Sequence, residues 1–303
     1  MSVLGAFMAL SADGHKMLAV ILMVLVPMAS AQRSIVFVHG ILSDAAEFNI
    51  MKPWIQKDFP GVNTYALAAY PDIYSLQPMW VQVEKFSEQL QSIMDKSPDG
   101  VKLICYSQGG VICRGLLSTM RHNVDTFIAL SSPLAGQFGD TSYLKPFFHD
   151  IVKEEAYLLF YTKAGQVISV GNYWNDPHHH DKYLKENKFL TFLNNEVQHP
   201  NSSEYKSNFL RLKHLVLVGG PQDEIIGPWQ SSHFEFYDNN EVVQPMENQS
   251  WYQNDAFGLQ TLNKQGRIHT YSVPNVRHTH WAITFSVYDQ CVKPWLGPSQ
   301  SPP

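Results

Sequence analysis

The chain predicts an α/β fold built on a mostly parallel, doubly wound sheet, and three observations carry that prediction. Short apolar runs alternate with segments of helical spacing through the first 130 residues. One of these runs, Val101 to Tyr106, passes directly into a serine flanked by small residues and then into a helix. After a long interruption the runs resume, at Lys213 to Gly220 and at Ile268 to Val273. Alternation implies parallel pairing, because each helix returns the chain to the same end of the sheet before the next strand begins.

Length and composition set the outer bounds. A chain of 303 residues, 45% hydrophobic and only 16% charged, can bury one large core and is not a solvated, disordered protein. The net charge of −5 and the absence of a long Lys/Arg run leave no footprint for nucleic acid or an anionic membrane surface. No phosphate loop, dinucleotide glycine pattern or paired C-x-x-C occurs, so no cofactor is expected.

In order, the N-terminus comes first. Met17 to Met28 is an apolar stretch too short for a comfortable membrane span, and Ala29-Ser30-Ala31 supplies a small-x-small cleavage site. Residues 1–31 therefore read as a signal peptide, with 32–303 as a single domain and no integral membrane span after cleavage. Ser34 to Gly40 is a buried central strand that ends at His39-Gly40. Ala45 to Phe59 has helical spacing, with Pro53 marking a kink or a late first turn. Thr64 to Leu67 is a second strand and Met79 to Met94 an amphipathic helix. The strand Val101 to Tyr106, Ser107 and a helix over Val111 to Met120 follow. Asp125 to Leu130 is the next strand, leaving through Ser131-Ser132-Pro133.

From Leu134 to about Leu210 the alternation stops. This stretch is helical or irregular and rich in aromatics, and it has two readings: a lid over a hydrophobic ligand, or an elaboration that completes the core. Beyond it, Asp255 to Leu262 predicts a helix and Ile268 to Val273 a last strand.

The chemistry gathers at strand exits, where a doubly wound sheet places its ligands. The strand–serine–helix stretch is the context of a nucleophile elbow, although C-Y-S-Q-G replaces the first glycine of G-x-S-x-G with Cys105. Ser107, Asp223 and His278 occur in that chain order, which is the order of α/β-hydrolases. A serine hydroxyl needs an imidazole to take its proton, and the imidazole needs a carboxylate to fix its tautomer. The backbone N–H groups of Gln108 and Ile41 are the expected oxyanion donors. His280 and His39 are weighed as alternative bases and assigned positioning or structural roles. Glu224 is weighed against Asp223, while Asp72 and Asp125 would break the order.

Cysteine usage fits an oxidising route. Cys105 and Cys113 straddle the elbow, and a disulfide between them would staple the turn if their side chains face each other. Cys291 is left over, either buried and inert or free and reactive, with burial favoured. Asn201-Ser202-Ser203 and Asn248-Gln249-Ser250 are glycosylation sequons. The run His178-His179-His180-Asp181 suggests a metal, but consecutive histidines point apart, and a polar surface turn is the preferred reading. No metal site is expected.

Taken together, these segments resemble the palmitoyl-protein thioesterase family. The resemblance rests on Leu103-Ile104-Cys105-Tyr106-Ser107-Gln108-Gly109-Gly110, Asn172 to His179, Leu215 to Pro221 with Pro228 to Ser232, His278-Thr279 and Pro294-Trp295-Leu296. It implies an α/β-hydrolase that cleaves long-chain fatty acyl thioesters, such as palmitoyl-CoA or an S-acylated protein or peptide, in the lysosome or after secretion, with sorting through its glycans. It implies Ser107, Asp223 and His278 as the triad, Ile41 and Gln108 as oxyanion donors, and a Cys105–Cys113 bridge. The region around Ser272 and Val273 lacks the cysteine that would partner Cys291. An oxygen-ester lipase or carboxylesterase, and a catalytically inactive lipid-binding protein, are the alternatives.

Overall fold

The computed structural model describes residues 33–147 and 151–297. The signal-peptide reading of residues 1–31 lies outside them. Six parallel strands form the sheet: β1 (Ser34–Val38), β2 (Thr64–Ala66), β3 (Val101–Tyr106), β4 (Val124–Leu130), β5 (His214–Gly219) and, after a small antiparallel ribbon of β6 (Phe236–Tyr237) and β7 (Val243–Gln244), β8 (Ile268–Ser272). Their order is β2-β1-β3-β4-β5-β8. The chain moves from β1 outward to β2, then returns to lay β3 on the other side of β1. The order therefore reverses between β1 and β3, and a crevice opens at the carboxyl ends of those two strands.

Each strand divides its residues between two cores, because side chains alternate across a sheet. One layer takes Val36, Val38, Leu103, Cys105, Phe127, Ala129, Leu215 and Leu217. Against it pack α2 (Met79–Met94), which presents Met79, Val83, Phe86 and Leu90, and α3 (Gln108–Thr119). The opposite layer takes Ile35, Phe37, Ile104, Ile128, Val216 and Val218, covered by Met51 and Ile55 of α1 (Met51–Asp58) and by Trp281, Tyr288 and Val292. Pro53 falls in the first turn of α1, where no intrahelical donor is needed.

Among the described residues, the α-helices of the interruption after β4 are all short: α4 (Ala156–Phe160), α5 (Ser169–Tyr173), α6 (His180–Glu186), α7 (Leu190–Leu193) and α8 (Ser202–Phe209). Its aromatics Phe160, Trp174, Tyr183 and Phe189 are fully or almost fully buried in the first core layer. Arg114 of α3 ties the insertion down, donating to the carbonyls of Leu134 at 2.8 Å and Leu193 at 3.1 Å while lying over Phe257. Among the described residues, no helix is long and apolar enough to cross a membrane.

Candidate active site

The site grows out of one strained turn. Ser107, between β3 and α3, has φ +53°, a left-handed conformation that costs a residue bearing a Cβ about 1–3 kcal/mol. The turn closes because its neighbours are small. A Cβ on Gly109 would come 2.4 Å from the Val38 carbonyl oxygen, and one on Gly110 would come 2.0 Å from Ser132 Oγ. Glycine at both positions lets α3 start immediately after the serine, three residues earlier than its apolar spacing suggests. Cys105 and Cys113 are joined by a disulfide from β3 to α3, with Cα atoms 6.7 Å apart.

Two further strand exits meet this serine. His278 follows β8 in a one-turn 3-10 helix, and its Nε2 lies 2.9 Å from Ser107 Oγ. Asp223 follows β5, and its Oδ2 accepts from His278 Nδ1 at 2.8 Å. Ser107, His278 and Asp223 are all buried. The tautomer with the proton on Nδ1 leaves Nε2 free to accept from serine.

Asp223 is saturated with donors. Its Oδ1 accepts the backbone N–H groups of Ile225 at 3.0 Å and Ile226 at 2.9 Å, and Oδ2 also accepts Trp281 Nε1–H at 2.8 Å and the Ser131 hydroxyl. Burial by itself would raise this carboxyl, but the bonds from His278, Ile226 and Ser131 outweigh it and hold the group below its ordinary value. The His278 loop is pinned from outside: the Tyr106 hydroxyl donates to the His278 carbonyl at 2.7 Å, and Glu224 accepts the His278 N–H at 3.1 Å and pairs with Arg277. Burial raises the Tyr106 hydroxyl well above its ordinary value, so it stays protonated and able to donate.

Gln108 is the first residue of α3 and Ile41 follows Gly40. Neither backbone N–H donates to another group among the described residues. The peptide unit carrying the Ile41 N–H is anchored by His39, whose ring nitrogens lie 2.9 Å from the Gly40 carbonyl oxygen and 3.0 Å from that of Ala69. A cavity of about 310 Å³ opens at Ser107 and His278, walled by Ile41, Leu42, Tyr143 and Ile225, with Glu47 and Thr279 at polar positions. Of the insertion, only Tyr143 appears in this wall, so among the described residues the stretch serves the core far more than the cavity.

The other candidates separate from the site. His280 is exposed, and Asp125 lies at the far end of the sheet, pairing with Arg33 at 2.8 Å. His178 faces Glu241, His179 bonds Asp176 and stacks on Tyr157, and His180 stacks against Tyr183. The three side chains thus diverge. Cys291 is buried and unpaired, and burial pushes its thiol up to about 12. Asn201 and Asn248 are both exposed. Sequence reading did not find Ser131, Trp281 and Tyr106 as supports of the site: Ser131 and Trp281 hold the acid from the exit of β4 and from the turn after His278, and Tyr106, the last residue of β3, holds the His278 carbonyl.

A family model described as palmitoyl protein thioesterase matches residues 34–278. The chain is 46% identical over 271 residues to lysosomal thioesterase PPT2 of Rattus norvegicus, covering 89% of this chain and 90% of that one. It is 39% identical over 267 residues to the lysosomal thioesterase PPT2 homolog of Drosophila melanogaster, covering 88% and 92%. Among solved structures, naproxen esterase (carboxylesterase NP) from Bacillus subtilis aligns over 88% of this chain and 84% of that one, with 14% identity and a TM-score of 0.46.

Proposed function

This chain belongs to the palmitoyl protein thioesterase family, and on that premise we propose that it hydrolyses long-chain fatty acyl thioesters with Ser107, His278 and Asp223 as its catalytic triad. Thioester hydrolysis is the activity its relatives are named for. The observation that carries the residue assignment is the continuous line from Ser107 Oγ through the His278 ring to the Asp223 carboxylate.

In the first step Ser107 Oγ attacks the thioester carbonyl carbon while its proton passes to His278 Nε2. The carbonyl oxygen becomes an oxyanion that Ile41 N–H and Gln108 N–H receive; one such donor contributes about 3–4 kcal/mol to the transition state. Collapse breaks the C–S bond. A thiolate leaves readily, so bond breaking needs little help from the acid; the departing sulfur takes the proton from His278 Nε2 and leaves as the thiol, which returns the imidazole to its neutral form. Water then gives a proton to His278 and attacks the acyl-enzyme, releasing the fatty acid and restoring Ser107. The chain's own residues carry every proton. The apolar wall of Ile41, Leu42, Tyr143 and Ile225 suits the first part of an acyl chain.

Ser107→Ala is expected to abolish palmitoyl-CoA hydrolysis while circular dichroism and secretion stay unchanged; retained turnover would overturn the assignment. Competition between palmitoyl-CoA and p-nitrophenyl palmitate tests the leaving group, with preference for the oxygen ester pointing to a lipase instead. The relatives' lysosomal names and the exposed Asn201 and Asn248 support a secretory, glycosylated route to the lysosome. An unchanged mass after N-glycosidase treatment of the secreted protein would remove the glycan part of that reading.

A further inference from the structure

We propose that Ser75 is a positioning residue that joins the two oxyanion donors into one rigid unit; the proposal rests on Ile41 and Gln108 being those donors. Ser75 sits in the 3-10 turn Asp72–Leu76 and is 1% exposed. Its hydroxyl oxygen accepts the Leu42 N–H at 2.7 Å, and the hydroxyl donates to the Asp72 carbonyl at 2.5 Å. Its own carbonyl accepts Gln108 Nε2–H at 2.8 Å and Gln82 Nε2–H at 2.8 Å. One residue therefore grips the loop after β1 through its side chain and the first residue of α3 through its backbone.

The loop it grips is strained. Leu42 has φ +54° and Asp72 has φ +51°, conformations that persist only where the surroundings over-determine them. Asp72 N–H donates to the Ser43 carbonyl at 2.9 Å, which closes the 72–76 turn onto the same loop. Leu42 directly follows Ile41, so any relaxation of its backbone would swing the Ile41 N–H away from the cavity. On the other side, the Gln108 amide is held at both ends, because its Oε1 also accepts the Tyr173 hydroxyl at 3.1 Å. Oxyanion donors act by being aimed before the reaction begins, and a supporting shell that is loose by an ångström forfeits that advantage. Alanine at position 75 would leave Leu42 N–H and the Asp72 carbonyl without their partner, whereas threonine would keep the hydroxyl.

The test compares Ser75→Ala and Ser75→Thr with the wild type on palmitoyl-CoA. Two inhibitors accompany it: a long-chain trifluoromethyl ketone, which adds Ser107 Oγ to its carbonyl and forms an oxyanion, and the non-hydrolysable hexadecyl thioether of coenzyme A. S75A is expected to lower kcat by about 10- to 100-fold with KM within about twofold. It should weaken the ketone by a similar factor and leave the thioether unaffected, and S75T should restore most of the loss. Unchanged kcat and ketone affinity in folded S75A would overturn the proposal, as would equal loss of both inhibitors, which marks a general distortion. Should S75A not fold, Ser75→Cys, nearly isosteric with a weaker acceptor, is measured the same way against the same outcomes. Ser107→Ala run alongside separates the failures: turnover surviving in that variant refutes the serine mechanism, not the role of Ser75.

Discussion

Asp223 illustrates what a single carboxylate needs in order to serve a buried imidazole. Every lone-pair direction is taken, by two backbone N–H groups on one oxygen and by Trp281, Ser131 and His278 around the other. An asparagine has one acceptor and one donor end: with its NH₂ at the Oδ1 position it would face two backbone N–H groups that can only donate, and with its NH₂ at the Oδ2 position it would face Trp281 N–H and hold His278 in the tautomer that accepts at Nδ1, leaving the Nε2 proton pointing at Ser107. Asp223→Asn is expected to lower kcat by about 10³- to 10⁴-fold, as loss of the carboxylate does in serine triads generally. Its stability cost should depend on pH. Because the folded carboxyl lies below its unfolded value, near 3.9, its stabilisation is present above that value and is lost as the pH falls through the lower folded one. The gap in urea midpoint between wild type and D223N should therefore narrow from pH 5 to pH 3, and a constant gap would contradict the account. The acid itself was legible in the sequence because it stands at a strand exit in the right chain order. Ser131 and Trp281 were not, since contacts 92 and 58 residues away in the chain leave no local signal.

At the scale of elements, the elbow is where sequence patterns and packing agree most closely. β3 and α3 are fixed by an apolar run, by two glycines at sterically closed positions and by the Cys105–Cys113 bridge. Closing so short a loop removes about 2–3 kcal/mol of unfolded-chain entropy. Reduction, or the double variant C105S/C113S, should lower unfolding stability by about that amount in urea titrations; two free thiols in the mass spectrum of the secreted protein would show that the brace is absent. Elsewhere the elements were read less well. The helix expected over Asp255 to Leu262 begins only at Leu259, because Asp255 spends its carboxylate on the N–H and hydroxyl of Thr261 and Gly258 adopts φ +95°. The stretch from Leu134 to Leu210 left lid and core elaboration open, since aromatic content looks the same in both. Burial of Phe160, Trp174 and Tyr183, against a single cavity residue in Tyr143, favours the core among the described residues.

Across the whole molecule, buried and half-buried titratable groups, Glu196 among the latter, pull the stability in opposite directions as pH changes. His122 and His233 are buried and their pKa values are lowered to about 4 by desolvation. Their folded values lie below the unfolded one near 6.5, so the stabilisation from keeping them neutral is present above pH 6.5 and is lost as the pH falls towards 4. Glu196 acts the other way. Burial pushes its carboxyl up to about 7, despite bonds from Tyr183 and Asn194, so its protonated form favours the fold at low pH and that contribution disappears as the pH rises from about 4 through 7. The two trends overlap between pH 4 and 7, and because desolvation lowers half-buried His269 to about 4 as well, three histidines stand against one carboxyl and the urea midpoint should fall on acidification below about pH 6. Glu196→Gln removes the loss at neutral pH. It should raise the midpoint relative to wild type progressively from pH 5 to pH 8, moving the stability optimum upward, and parallel curves for the two proteins would show that the Glu196 carboxyl is not held up by burial.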